Sequence, residues 1–194
     1  QTIGSLKLHF AGHENFTNYY RDLNIGKAVA TTRYTANDVN YTRELFASLT
    51  DNVIIMRITA DKKGALNFTA DYASPIVGFA VKVRDGKLIL NGNGSDHEGI
   101  KGVIRVENQT YIKTTDGKVE TGTNNLKVSG ATTATIYISA ATNFVNYKTV
   151  TANPEKKASA YLKEALKKPY EKALSDHIAA YQKQFNRVAL NLAP

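Results

Sequence analysis

A mainly β fold, a large antiparallel β-sandwich (super-sandwich) followed by two C-terminal α-helices, is what this sequence predicts, and three observations carry the prediction. From residue 2 to about residue 150, short runs rich in β-branched and aromatic residues alternate with turn residues, and no helical period interrupts them. The dipeptides Asp85-Gly86 and Asp116-Gly117 are strong hairpin-turn signals within that region. After Asn153-Pro154 the apolar residues return at helical spacing instead.

Taken in order, the first β-prone run covers 6–10. The next two, 28–34 (AVATTRY) and 39–47 (VNYTRELFA), flank Ala36, Asn37 and Asp38, and Asn and Asp tolerate the left-handed backbone that a tight turn needs. They read as a β-hairpin. The run 53–58 (VIIMRI) is apolar at nearly every position, which suits a strand covered on both faces and is too short for a typical helix, so the three strands make a meander. Further strands are expected at 65–73, 76–83, 87–90, 103–106, 110–114, 125–128 and 135–141.

The helical part opens on Asn153, whose side chain can accept an orphan backbone N–H, followed by Pro154 at the first helical position. Ala158, Leu162, Ala165 and Leu166 then recur at helical spacing. Pro169 restarts the count, because the residue before a proline is pushed out of the α region. Tyr170, Leu174, His177, Ile178, Tyr181 and Phe185 follow as an apolar stripe, which needs a surface to lie on, either this chain's own sandwich or a helical region continuing beyond Pro194.

Composition bounds the function. A chain of 194 residues, 42% of them hydrophobic, buries roughly two-thirds of its surface on folding, so a folded domain is expected. Without cysteine there is no disulfide framework and no thiolate chemistry, and with four histidines no structural zinc is expected. No P-loop, dinucleotide glycine pattern or nucleophile elbow occurs, and no cofactor is predicted. No apolar run is long enough to span a membrane. The net charge of +8 raises the question of a polyanionic partner, yet half of it comes from the helical tail, where eight basic residues face four acidic ones. Solvated lysines on helix faces account for that charge, and no arginine cluster or stacking platform accompanies it, so nucleic acid is not expected as a partner.

Few residues offer chemistry. Asp96, His97 and Glu98 lie in a glycine-flanked loop, and a histidine between two carboxylates could act as acid, base or ligand. Neighbours on an extended loop seldom converge on one atom, so a solvated turn is the plain reading and a loop reaching a ligand the functional one. They are the substrate-binding candidates. His9 and His13 stand apart from acids except Glu14, and His177 lies on the helix stripe, where hydrogen-bonded packing is expected. Arg43 and Glu44 read as a structural ion pair. Tyr19, Tyr20, Tyr34, Tyr41, Tyr111, Tyr137 and Tyr147 fall in or beside strands, where buried rings are the ordinary outcome and a surface platform for sugar stacking the alternative.

The order of motifs YYRDLNIGKAVATTRYT, VNYTRELFAS and DNVIIMRITADKKG resembles the amino-terminal β-sandwich domain of glycoside hydrolase family 95, the α-L-fucosidase type. SLKLHFAGH, LNGNGSDHEGIKGVIRVEN and SGATTATIYISAATNFVNYK resemble further segments of that domain in the same order, and SDHIAAYQKQFNRVALNL resembles the helical linker after it. The resemblance implies a sandwich domain over 1–150, incomplete at its N-terminus, and a helical linker over 151–194. That linker would lead to an (α/α)6 barrel, absent here, that carries the catalytic acid and the water-activating group. It therefore implies no catalytic residue in this chain, a barrel domain as partner, and a fucosylated oligosaccharide met through that barrel. By analogy with bacterial glycan-degrading enzymes, the compartment would be periplasmic, secreted or cell-surface. A sugar-binding or scaffold module, or a parent acting on α-L-galactosides, are the alternatives.

Overall fold

The computed structural model describes residues 2–190. Its elements run β1 (Ser5–His9), β2 (Thr17–Asn24), β3 (Val29–Ala36), β4 (Val39–Ala47), β5 (Val53–Ala60), β6 (Leu66–Ala73), β7 (Ala80–Arg84), β8 (Lys87–Asn93), β9 (Arg105–Thr114), β10 (Lys118–Thr121), β11 (Asn125–Ala131), β12 (Thr133–Thr142), α1 (Pro154–Ala165) and α2 (Tyr170–Phe185). Eight strands form one antiparallel sheet, in the order β2-β3-β4-β5-β12-β9-β8-β7, and the other four form a second, β1-β6-β11-β10. The fold is the predicted sandwich with two helices.

The hairpin between β3 and β4 turns on Asn37 and Asp38, both at positive φ, so Ala36 pairs directly with Val39. β5 shows why its sequence lacks alternation. Ile58 and Ala60 face the small sheet across the inner core with Leu66, Phe68, Leu90, Leu126 and Ile136, while Val53 and Ile55 face outward to the helices. Both faces are covered, and an apolar residue is wanted at almost every position.

α1 starts as its sequence predicts: Asn153 Oδ1 accepts the Lys156 N–H at 3.0 Å and Pro154 follows in the first turn. It sets Ala158, Leu162 and Ala165 onto the large sheet. A polar pin fixes its position: buried Gln109 of β9 donates to Ser159 Oγ at 3.0 Å and to Glu107 Oε1 at 2.6 Å, and Ser159 donates back to Gln109 Oε1 at 3.1 Å. The stripe on α2 covers the chain's own sheet over 170–178, with Tyr170, Ala173 and His177 buried and Leu174 and Ile178 packed beside them. His177 has the packing role expected: its ring stacks on Phe46 at 4.9 Å, and Nε2–H donates to the carbonyls of Lys27 at 3.1 Å and Ala28 at 3.2 Å.

Several expectations are corrected. The run 76–83 becomes strand only at Ala80, and the runs 103–106 and 110–114 belong to one strand, β9. β2 went unseen because an edge strand reading TNYYRDLN is exposed at every position but one and shows no apolar alternation. β10 has four residues, too few for a pattern. Asp116-Gly117 makes no hairpin; it carries the chain from the large sheet to the small one. The Asp116 carboxylate accepts both the backbone N–H and the hydroxyl of Thr132 at 2.6 Å, which ties this crossing to the one between β11 and β12. Gly117 sits at φ +67, where a Cβ would lie 2.5 Å from the Gly130 carbonyl carbon.

Candidate functional site: a loop-bearing end and an arginine-floored cavity

Asp96, His97 and Glu98 lie in the connection between β8 and β9, and the structure does not bring their side chains together. Asp96 is spent on the loop itself, accepting Lys101 Nζ at 2.5 Å and the Gly102 N–H at 3.0 Å; these two donors, Lys101 first, hold its carboxyl below the usual range. His97 and Ile100 exchange backbone hydrogen bonds around Glu98 and Gly99, both at positive φ. That turn throws His97 and Glu98 into solvent, with side chains 88% and 84% exposed and His97 Nε2 4.0 Å from Glu98 Oε1. Among the described residues no group of three His, Asp or Glu could hold a metal ion.

The same end of the large sheet carries a cluster of exposed apolar side chains that sequence reasoning did not single out. Val77 from the connection before β7, Ile100 and Val103 from that before β9, and Phe144, Val145 and Tyr147 from that before α1 are all exposed. Strand pairing places them together, because Ala80 pairs with Asn91, Asn93 with Arg105 and Thr142 with Val106. Buried Asn143 ties two of these loops: it accepts the Arg105 N–H at 2.8 Å and donates to the carbonyls of Val103 and Val150, each at 2.9 Å. Several apolar side chains at one tied-down end exceed the scattered exposure normal for a surface.

A second site lies at the other side of the sandwich, where the inner face of β2, β3 and β4 extends past the small sheet. A cavity of about 560 Å³ opens there, with Phe10, His13, Phe16, Tyr19, Tyr34 and Arg43 among its lining. The expected Arg43–Glu44 pair does not form, since strand alternation sends the two to opposite faces: Glu44 accepts from the Tyr170 hydroxyl at 3.3 Å, and Arg43 enters the cavity. The Arg43 guanidinium packs against the rings of Phe10 at 4.4 Å and Tyr34 at 5.0 Å and donates from Nη2 to the Tyr34 hydroxyl at 2.8 Å. Its Nε is buried with no partner among the described residues.

The Tyr34 hydroxyl lies 3.0 Å from His13 Nδ1, so a chain runs from Arg43 through Tyr34 to His13. Desolvation first, and the positive charge of Arg43 second, push the His13 pKa below its ordinary value. Burial likewise raises the Tyr34 hydroxyl. His9, expected to stand apart from acids, meets Asp71 of the paired strand β6 at 2.8 Å. Of the tyrosines, Tyr34, Tyr41 and Tyr137 are buried, Tyr111 is half-buried, and Tyr19, Tyr20 and Tyr147 are exposed. Glycoside hydrolysis by the usual route needs two carboxyl groups about a substrate's width apart, and this cavity has one, Glu14.

The chain is a two-sheet antiparallel sandwich with two helices laid on its larger sheet. The sequence comparisons give the class: this chain belongs to the family described as glycosyl hydrolase family 65, N-terminal domain, whose sequence model matches residues 1–147. It is 29% identical to α-L-fucosidase 2 of Arabidopsis thaliana over 225 aligned positions, which take in 100% of this chain and 26% of that protein. A solved structure of a provisionally assigned kojibiose phosphorylase from the human microbiome superimposes with a TM-score of 0.60 at 10% identity, covering 92% of this chain and 27% of the other. The chain thus spans about a quarter of the length of either relative.

Proposed function

We propose that this chain is the non-catalytic N-terminal domain of an α-L-fucosidase-like glycoside hydrolase of the family 95 type, whose complete protein hydrolyses α-L-fucosyl glycans with inversion. The observation that carries the reading is the alignment of the whole chain with one quarter of an α-L-fucosidase. The loops support it: Asp96 is engaged within its own loop, and His97 and Glu98 stand apart in solvent, so neither acid is paired for hydrolysis.

In this reading the domain shields and supports a catalytic barrel, and the apolar loop end around Ile100, Phe144, Val145 and Tyr147 is the surface that meets it. The substrate is a fucosylated oligosaccharide bound by that barrel, and the compartment is periplasmic, secreted or cell-surface. The test compares hydrolysis of p-nitrophenyl α-L-fucoside and p-nitrophenyl α-L-galactoside by the 194-residue chain and by the same chain extended through its downstream coding sequence. Hydrolysis of the fucoside by the extended protein alone is expected. Turnover by the short chain would overturn the non-catalytic assignment, and a preference for the galactoside would transfer the parent to that substrate.

A further inference from the structure

The cavity at the β2–β4 side is unused by the proposed role, and its chemistry is specific enough to name a ligand class. Arg57 and Arg84 each meet a carboxylate, Glu171 and Glu155 respectively, whereas no carboxylate lies within 4.0 Å of Arg43 among the described residues. Arg43 lines the cavity, and the Tyr34 hydroxyl on Nη2 is its one side-chain hydrogen-bond partner among the described residues, which leaves guanidinium N–H groups for an acceptor that enters the cavity. Guanidinium matches the planar, two-oxygen geometry of a carboxylate. Arg21 adds a second positive charge to the lining, against the single carboxylate of Glu14, so the cavity favours an anion.

The wall above Arg43 is aromatic. Phe16 and Tyr19 are about half exposed and lie 5.5 Å apart, centroid to centroid, on the edge strand β2 and the connection leading into it. Such faces accept the C–H surface of a sugar ring. His13, its Nδ1 3.0 Å from the Tyr34 hydroxyl, adds a ring edge whose Nε2 can exchange a hydrogen bond with a sugar hydroxyl. The volume of about 560 Å³ falls within the range of small-molecule sites.

We propose that this cavity binds a carboxylate-bearing sugar, a hexuronate or a sugar acid of similar size, with the acid group against Arg43 and the ring against Phe16 and Tyr19. The choice of a sugar rests on the carbohydrate-enzyme reading above; the choice of an acid rests on the cavity alone. A bound acidic sugar would anchor the enzyme to glycans that carry acidic residues, while hydrolysis proceeds elsewhere.

The test is a calorimetric titration of the 194-residue chain with methyl β-D-glucuronide and with methyl β-D-glucoside, which differ only in the carboxylate. Saturable binding of the glucuronide, with the glucoside at least about tenfold weaker, is expected, since hydrogen bonds to charged groups are the strong ones. Arg43→Gln should weaken glucuronide binding at least about tenfold. Arg43 also packs within the sandwich, so Tyr19→Ala, at an exposed position on the edge strand, is the second variant; it should weaken binding several-fold without lowering the melting temperature. Absence of saturable glucuronide binding, equal binding of the two glycosides, or unchanged binding in both folded variants would overturn the proposal. Hydrolysis is not read in this titration, so its failure leaves the fucosidase reading standing, and failure of that reading in the hydrolytic assay leaves the titration interpretable.

Discussion

Leu162→Ala tests whether the helices and the sandwich are one folded unit. Leu162 is 2% exposed and sits in the outer cluster with Val53, Ile55, Tyr137 and Ala165, between α1 and the large sheet. The substitution deletes three carbons, worth about 2.4 kcal/mol at roughly 0.8 kcal/mol each. A cavity lined by a rigid sheet on one side relaxes little, so the total should reach about 3 kcal/mol, inside the range of about 2–5 kcal/mol seen for buried leucines. For a domain of this size that is a fall in melting temperature of about 6–12 °C. The assay is thermal unfolding followed by far-ultraviolet circular dichroism at both helical and sheet wavelengths, alongside urea unfolding. One shifted transition at both wavelengths is expected. A loss under about 1 kcal/mol, or an early helical transition that leaves the sheet signal unmoved, would refute the packing of α1 and α2 as part of the core.

Other perturbations probe other joints. His177→Ala removes the Phe46 stack and the donor to Lys27 and Ala28, and urea unfolding should show a loss of about 2–4 kcal/mol. Gly117→Ala forces a side chain into the Gly130 backbone at a left-handed position, and the melting temperature should fall by an amount equivalent to more than about 2 kcal/mol. Burial pushes the Asp51 carboxyl up, but hydrogen bonds from Lys168, Ser48 and Thr50 outweigh it and hold its pKa below the ordinary value. A lowered folded pKa means stability that is whole above the ordinary aspartate range and drains away as the pH falls through the folded value, so urea midpoints should drop there, and less steeply in Asp51→Asn. His97→Ala touches a side chain that is 88% exposed, and the melting temperature should stay within the equivalent of about 0.5 kcal/mol of the parent's.

What the sequence disclosed follows from how local each signal is. The Asn37-Asp38 hairpin, the doubly covered β5 and the Asn153-Pro154 helix start are all written in a few consecutive residues, and all stand in the structure as read. β2 was hidden because an edge strand needs no buried face, and its tyrosines looked like core residues when Tyr19 and Tyr20 are in fact exposed. Asp116-Gly117 carries the residues of a hairpin turn, but Thr132, far away in sequence, captures Asp116 and redirects the chain between sheets. Arg43 was hidden for the same reason. Its neighbour Glu44 supplies a partner on paper, strand alternation removes it, and only the assembled sheets show Phe10 and Tyr34 converging on one guanidinium, with His13 bonded to Tyr34. The end of the sheet that bears Asp96 was visible as a glycine-rich loop, while the apolar cluster around it draws on three connections that only strand pairing brings side by side.

The most direct measurement is kcat on p-nitrophenyl α-L-fucoside for the complete protein carrying Glu14→Gln, Asp96→Asn, His97→Ala and Glu98→Gln together, beside the unsubstituted protein. These substitutions remove the loop candidates and the one carboxylate of the Arg43 cavity. An accessory domain predicts a kcat within a few-fold of the parent's. A loss of about a hundredfold or more in kcat, the scale on which general acid–base groups contribute, with the fold intact by circular dichroism, would place catalytic chemistry in this domain and contradict the account.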